Sequence, residues 1–171
     1  MSSQIATIKA EHDELVKYLS DNGEISFRLY IDNSYKKILL LSAASYFESL
    51  ILQMIIDHTK NHTNNGDTVI ELVKNKALNR QYHTLFQWKE RNANAFFGLF
   101  GDATKQKAEK LIKDRNITDA ERAFLDIGRE RNELVHQNFV ERTMNKTFDD
   151  MYSQYEKANE FVCFIGEMLS D

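Results

Sequence analysis

The chain has 171 residues, of which 42% are hydrophobic and 28% charged, and a formal net charge of -4. That length fits one domain with a self-sufficient core, and that balance excludes disordered and fibrous classes. With a pI near 5.8 there is no global basic field, so any nucleic acid must be held at a local site. Cys163 is the only cysteine, which excludes an internal disulfide and a Cys-cluster zinc site. The N-terminal MSSQIATIKAEHDE lacks an apolar signal core, so a cytoplasmic location is expected.

The chain contains no proline, against an average usage of about 5%, so long helices can run without interruption. No strand-like alternation of useful length occurs, and the fold is predicted to be all-α. A first helix is expected near residues 3 to 20, broken at DNG, and a long one from about 24 to 60. The second carries KKILLLSAASYFESLILQMIID, apolar on nearly every side, which predicts a helix buried all round and forming the spine of the core. The run is long enough to raise a transmembrane reading, but Ser42, Ser45, Glu48, Ser49 and Gln53 interrupt it, so no membrane is expected.

After the polar loop HTNNGD come shorter helical pieces around 67 to 90, the aromatic segment NAFFGLFGD, and a charged helix from about 103 to 114. NITDAERAFLDIGRERNELVHQNF then opens with a capping-box pattern, Thr118 as N-cap and Glu121 three residues on. A last helix is expected from about 147 to 169, with Phe148, Met151, Tyr155, Phe161, Val162 and Ile165 on its apolar side. Glycines 23, 66, 98 and 101 sit where helical periodicity lapses. No repeat, linker or low-complexity tract divides the chain, so residues 1–171 are read as a single helical domain.

The stretch RERNELVHQNF carries the chemistry. On the helix starting at Thr118, Ala120, Phe124, Ile127, Leu134 and Asn138 step by three, four or seven, and the same count lands on Arg131. A guanidinium on that inward row is costly unless it meets a carboxylate, a phosphate or a partner chain. His136 lies five residues later, about 140° around the helix, on a face shared with Arg129, Asn132 and Val140. Asn132, four residues before it, can bond the imidazole or a phosphate oxygen. A plainer reading makes Arg131 a buried ion-pair residue and His136 a satisfied histidine at a helix end, where the dipole favours its charged form.

Arg, a polar residue, three others and His, as in RNELVH, resembles the signature of the HEPN superfamily. The all-helical setting, the lone acid in SYFESLI on a buried helix, and the position of the motif on a late helix followed by one more fit the same pattern. NAFFGLFGD ahead of the motif resembles the RiboL-PSP-type branch. The resemblance implies a metal-independent endoribonuclease, acting without a cofactor, in which two motif helices meet across a homodimer and form one composite cleft. In that chemistry His136 serves as base or acid, Arg131 as a planar fork on the phosphate, and Asn132 orients one of them, while two-fold symmetry supplies a second histidine. The resemblance also points to an RNA substrate such as tRNA, a defence or toxin-antitoxin setting, and an antitoxin or regulatory partner. A second class of function stays open, a non-catalytic helical module that binds a protein or RNA partner. A metal-dependent hydrolase using Glu48 and the histidines is a third, disfavoured reading.

Glu48 is the only charge between Lys37 and Asp57, on a row with Leu41, Ala44, Ile51 and Ile55. A carboxylate there needs a partner, and Arg131 or His136 is the candidate; support of the catalytic site, a structural ion pair with another base, and a solvent-facing acid all remain open. Lys105, Lys107, Lys110 and Lys113 on the charged helix could line an RNA backbone, although such a run is more often a solvated face. The phenylalanines of NAFFGLFGD read as a hydrophobic anchor with Gly98 and Gly101 making the turns. Trp88 and the Tyr46-Phe47 pair read as core or dimer packing. His12, His58, His62 and His83 are read as showing no ligand spacing with one another or with acids, so no metal site is expected.

Overall fold

The computed structural model describes residues 2–63, 66–136 and 143–170. Asn64 and Asn65 of the polar loop, and Asn138 and Val140 beyond the motif, lie outside the described residues. Among those described there is no strand. Eight α-helices follow one another: α1 (Ser2–Asp21), α2 (Ile25–His62), α3 (Asp67–Val73), α4 (Tyr82–Leu85), α5 (Asn94–Gly98), α6 (Asp102–Asp114), α7 (Thr118–His136) and α8 (Phe148–Ser170), with a π-helical turn at Lys74–Leu78.

Freedom from proline lets α2 run for 38 residues, about 57 Å. The hairpin from α1 into α2 turns at Gly23, whose φ of +73° is costly for any side chain. There the Glu24 N–H reaches the Leu19 carbonyl at 2.9 Å and closes the end of α1.

The expectation that α2 is buried on every side does not hold. Leu39, Leu40, Ala43, Ala44, Phe47, Ile51 and Ile55 are buried, whereas Ile38, Ser45, Ser49, Gln53 and Asp57 are exposed. The reason is geometric: α1, α7, α8 and α3 pack on α2 from one side and leave a stripe uncovered, the one that steps by four through Ser45, Ser49, Gln53 and Asp57. The polar residues that interrupt the apolar run therefore mark its wet face. By length and composition α2 could cross a membrane, but its apolar row is the one packed inside the bundle.

α8 packs most extensively on α7 and next on α2, and these three helices carry the centre of the core. Phe47 of α2, Phe124 of α7 and Phe161 of α8 meet there, with ring centroids 5.8 and 5.5 Å apart across Phe124. The connection from α3 to α6 adds its own aromatics to this layer. Phe86 stacks on Phe96 at 4.6 Å and meets Phe124 edge-on at 5.0 Å, while Phe97 lies against Phe161 and Phe164. Phe96 and Phe97 are fully buried, so NAFFG is a hydrophobic anchor that fastens this connection to α7 and α8. Of the two glycines of NAFFGLFGD only Gly101, at φ +101°, makes a turn that requires glycine; Gly98 ends α5 without a left-handed φ.

The start of α7 differs from the capping box read in the sequence. Glu121 does not turn back to Thr118. Its Oε1 accepts the Ala93 N–H at 2.7 Å, and the side chain is buried. Burial pushes this carboxyl above the ordinary glutamate value, and the Ala93 N–H partly offsets that. The local capping option loses because Ala93, itself buried just before α5, presents a donor that nothing else would satisfy.

Candidate active site

The inward row of α7 is as the periodicity requires. Ala120, Phe124, Ile127 and Leu134 are buried, and Arg131, on the same row one turn beyond Ile127, is half-buried with its head at the rim of the core. Arg131 Nη1 donates to the Asn132 side-chain amide oxygen, Oδ1, at 3.0 Å, which fixes one edge of the fork and leaves the other side of the guanidinium to the pocket.

That pocket is small, about 20 Å³, room for one water-sized group. Its floor is Ala44 and Phe47 of α2 with Phe124, Ile127 and Gly128 of α7, and its polar rim is Glu48, Arg131, Asn132, Tyr82 and His83. Glu48 is half-buried and reaches the rim from α2, so three of the four candidate catalytic residues are brought together by two crossing helices. The Tyr82 hydroxyl is pushed well above its ordinary value by burial and by the Glu48 carboxylate, with Arg131 opposing. It therefore stays neutral on the rim it shares with Glu48 and Arg131.

His136 is the fourth candidate and stands apart. It is the last residue of α7, exposed, about 7.5 Å along the axis from Arg131, and it does not line the pocket. Lys105, Lys107, Lys110 and Lys113 lie on α6, and none lines this pocket. Lys107 instead lines a groove with His58 and His62, ten residues and about 15 Å further along α2 than Glu48.

Sequence reasoning missed Tyr82 and His83 as site residues and assigned Trp88 only to packing. Trp88 lies directly on Gly128: a β-carbon at that position would come within 2.0 and 2.1 Å of two indole carbons. The indole N–H donates to the His83 carbonyl at 2.9 Å, so the turn carrying Tyr82 and His83 is locked to α7 through the tryptophan. The signal was present in the sequence as a glycine inside a strong helical pattern three residues before Arg131, a mark of close approach by another group.

Among the described residues, no group of three or more His, Cys, Asp or Glu is placed to hold a metal ion. His58 and His62 are one helical turn apart with rings at 4.1 Å, a pair with no third ligand beside it among the described residues. His12 is buried between two carboxylates, Nδ1 at 3.1 Å from Asp13 and Nε2 at 3.1 Å from Asp32, and stacks on Phe148 at 3.7 Å. This cluster ties α1 to α2 and to the start of α8. Burial pushes the Asp32 carboxyl up, but hydrogen bonds from Lys36 and His12 outweigh it and hold Asp32 below its ordinary range.

The RiboL-PSP-HEPN family model matches residues 6–171, nearly the whole chain and the complete set of helices that frame the pocket. The chain belongs to the RiboL-PSP-HEPN family. No curated protein and no solved structure matches it. As a HEPN domain, the chain carries its Arg-Asn-x3-His motif on α7, the helix that supplies both Arg131 and Asn132 to the rim. HEPN domains include ribonucleases as well as other helical modules.

Proposed function

We propose that this HEPN domain is a metal-independent endoribonuclease that cuts RNA by attack of the 2'-OH on the adjacent phosphate. The observation that carries this reading is the convergence of Arg131, Asn132 and Glu48 on one solvent-reachable pocket of the motif helix. In-line attack needs a base for the 2' proton, positive charge on the phosphorane, and an acid for the 5' oxygen that leaves. Arg131, held on one edge by Asn132, offers two N–H donors to the non-bridging oxygens. The bond from the 2' oxygen to phosphorus forms as the bond from phosphorus to the 5' oxygen breaks, leaving a 2',3'-cyclic phosphate and a 5'-hydroxyl.

His136 enters this scheme from the end of α7. In this reading His136, exposed and beside exposed Val135, faces a second copy of the chain, and the active form is a homodimer with a composite cleft. The setting that goes with this reading is a cytoplasmic defence or toxin-antitoxin effector, with tRNA as one substrate and an antitoxin or regulator as partner. A second reading is favoured by one observation: His136 does not line the Arg131 pocket in the single chain, as a silent binding module would also allow.

Purified wild type and His136→Ala, incubated with total RNA and tRNA in EDTA and resolved on a gel, separate the two. Cleavage by the wild type alone, with 2',3'-cyclic phosphate ends, is the expected result. A folded wild-type dimer that cuts neither RNA would overturn the nuclease in favour of the binding module.

A further inference from the structure

We propose that His83 is a second acid-base group of this site, supplied by the same chain that supplies Arg131, Asn132 and Glu48; the inference rests on the ribonuclease reading above. His83 is the histidine that lines the pocket with Arg131, whereas His136 does not. Its side chain is exposed and, among the described residues, makes no hydrogen bond, ion pair or ring contact. What its position contributes to the fold comes from the main chain, where its carbonyl accepts the Trp88 indole N–H. The imidazole is therefore free of structural duty while its backbone is fixed. Trp88 sits on Gly128, and the neighbouring Leu85 and Phe86 are buried.

Of the other polar groups of the rim, Glu48 is the one besides His83 that can take up a proton, and Asn132 has none to exchange. Arg131 is permanently charged, and Tyr82 is kept neutral by burial beside Glu48. An imidazole is the side chain that exchanges a proton most readily at neutral pH. A composite dimer made of motif helices alone would need both proton transfers from two copies of His136. With His83 at the rim each pocket has its own imidazole, and His83 and His136 divide the work: one takes the 2'-OH proton, the other delivers a proton to the departing 5' oxygen. Arg131 balances the charge on the phosphate between them.

The test is cleavage of RNA in EDTA by wild type, His83→Ala, His83→Asn and His136→Ala, with rates measured from about pH 5 to 9. We expect His83→Ala to lose about 100-fold or more in rate while keeping the wild-type melting temperature and oligomeric state. One limb of the wild-type pH profile should disappear, and added imidazole should restore part of the activity, which a purely structural role would not allow. His83→Asn, close in shape but without a titrating ring, should show the same loss and covers the case in which the alanine variant fails to fold. A His83→Asn enzyme within threefold of wild type, with both limbs of its profile intact, would sink the His83 role while the ribonuclease stands. A wild type that cuts no RNA would sink both.

Discussion

Replacing Gly128 by alanine sets two opposing effects against each other. Inside a helix the change should stabilise by about 0.5 to 1 kcal/mol, because alanine loses less chain entropy than glycine. The new methyl, however, would sit 2.0 Å from one indole carbon of Trp88 and 2.1 Å from another, where non-bonded carbons prefer about 3.5 to 4.0 Å. No small adjustment absorbs that overlap. Trp88 must leave its seat, giving up its contacts with Phe86 at 5.0 Å, Tyr82 at 5.7 Å and Phe124 at 5.8 Å. Overpacking costs about 1 to 3 kcal/mol, and displacement of a half-buried tryptophan falls in the same range, so the clash wins. We expect Gly128→Ala to be less stable by about 2 kcal/mol in urea unfolding. Trp88 is the only tryptophan, so its fluorescence reports this one seat, and the emission should shift to the red. In a Trp88→Ala background the same glycine change should instead stabilise by about 0.5 to 1 kcal/mol, an inverted sign that a double-mutant cycle reads directly. A Gly128→Ala protein as stable as wild type, with unshifted emission, would refute the packing argument.

Three further outcomes are expected. Glu121→Ala should cost about 1 to 3 kcal/mol by orphaning the buried Ala93 N–H, while Glu121→Gln keeps an acceptor and loses little. Because burial raises the Glu121 carboxyl, its contribution is fully present below 4.5, the ordinary value, and is lost as pH rises through its folded value; relative to Glu121→Gln, the wild type should gain in unfolding free energy on acidification. Asp32 is depressed instead, so its contribution is present above 3.8 and lost as pH falls through its folded value; the stability gap between wild type and Asp32→Asn should close in acid unfolding curves. Arg131→Ala should abolish cleavage yet cost about 1 kcal/mol or less in chemical denaturation, since the side chain is half-buried and hydrogen-bonds to the neighbouring Asn132. A loss of about 3 to 5 kcal/mol would instead mark a buried structural ion pair.

The sequence carried those features whose cause lies within one helix. Zero prolines and the periodicity of α2, α7 and α8 yield the all-α fold and nearly all the long-helix boundaries, and the same periodicity puts Arg131 on the row of Phe124 and Ile127. It also flagged Glu48 as the one acid in an apolar run; the structure sets it on the same rim as Arg131, with no ion pair between the two among the described residues. Features whose cause lies in a distant segment were not legible. Glu121 reads locally as half of a capping box, but the competing donor is Ala93, twenty-eight residues earlier. Nothing in the sequence around His12 points to its burial, which comes only when Asp32 from α2 and Phe148 from α8 close on it. Tyr82 and His83 sit in a short, irregular connection with no periodic pattern, and only the fold brings them to Arg131.

The same contrast explains how this site keeps its geometry. Two long helices cross and offer Glu48, Arg131 and Asn132 from rigid backbones, but Tyr82 and His83 come from α4, a helix of four residues with little stability of its own. Such a segment holds a side chain in place only if it is fastened from outside. Trp88 on Gly128 fastens it at one end, and Phe86 stacked on Phe96 does so beside it, with Phe96 held in turn by the α5 anchor whose first turn Glu121 secures through Ala93. Loosening either fastening should therefore impair the pocket without touching its rim. In Gly128→Ala, cleavage should fall along with the red shift of Trp88 even though Arg131, Asn132, Glu48 and His83 are all present. If the tryptophan moves and the rate does not, the α4 segment contributes nothing to catalysis and the chemistry belongs to the two crossing helices alone.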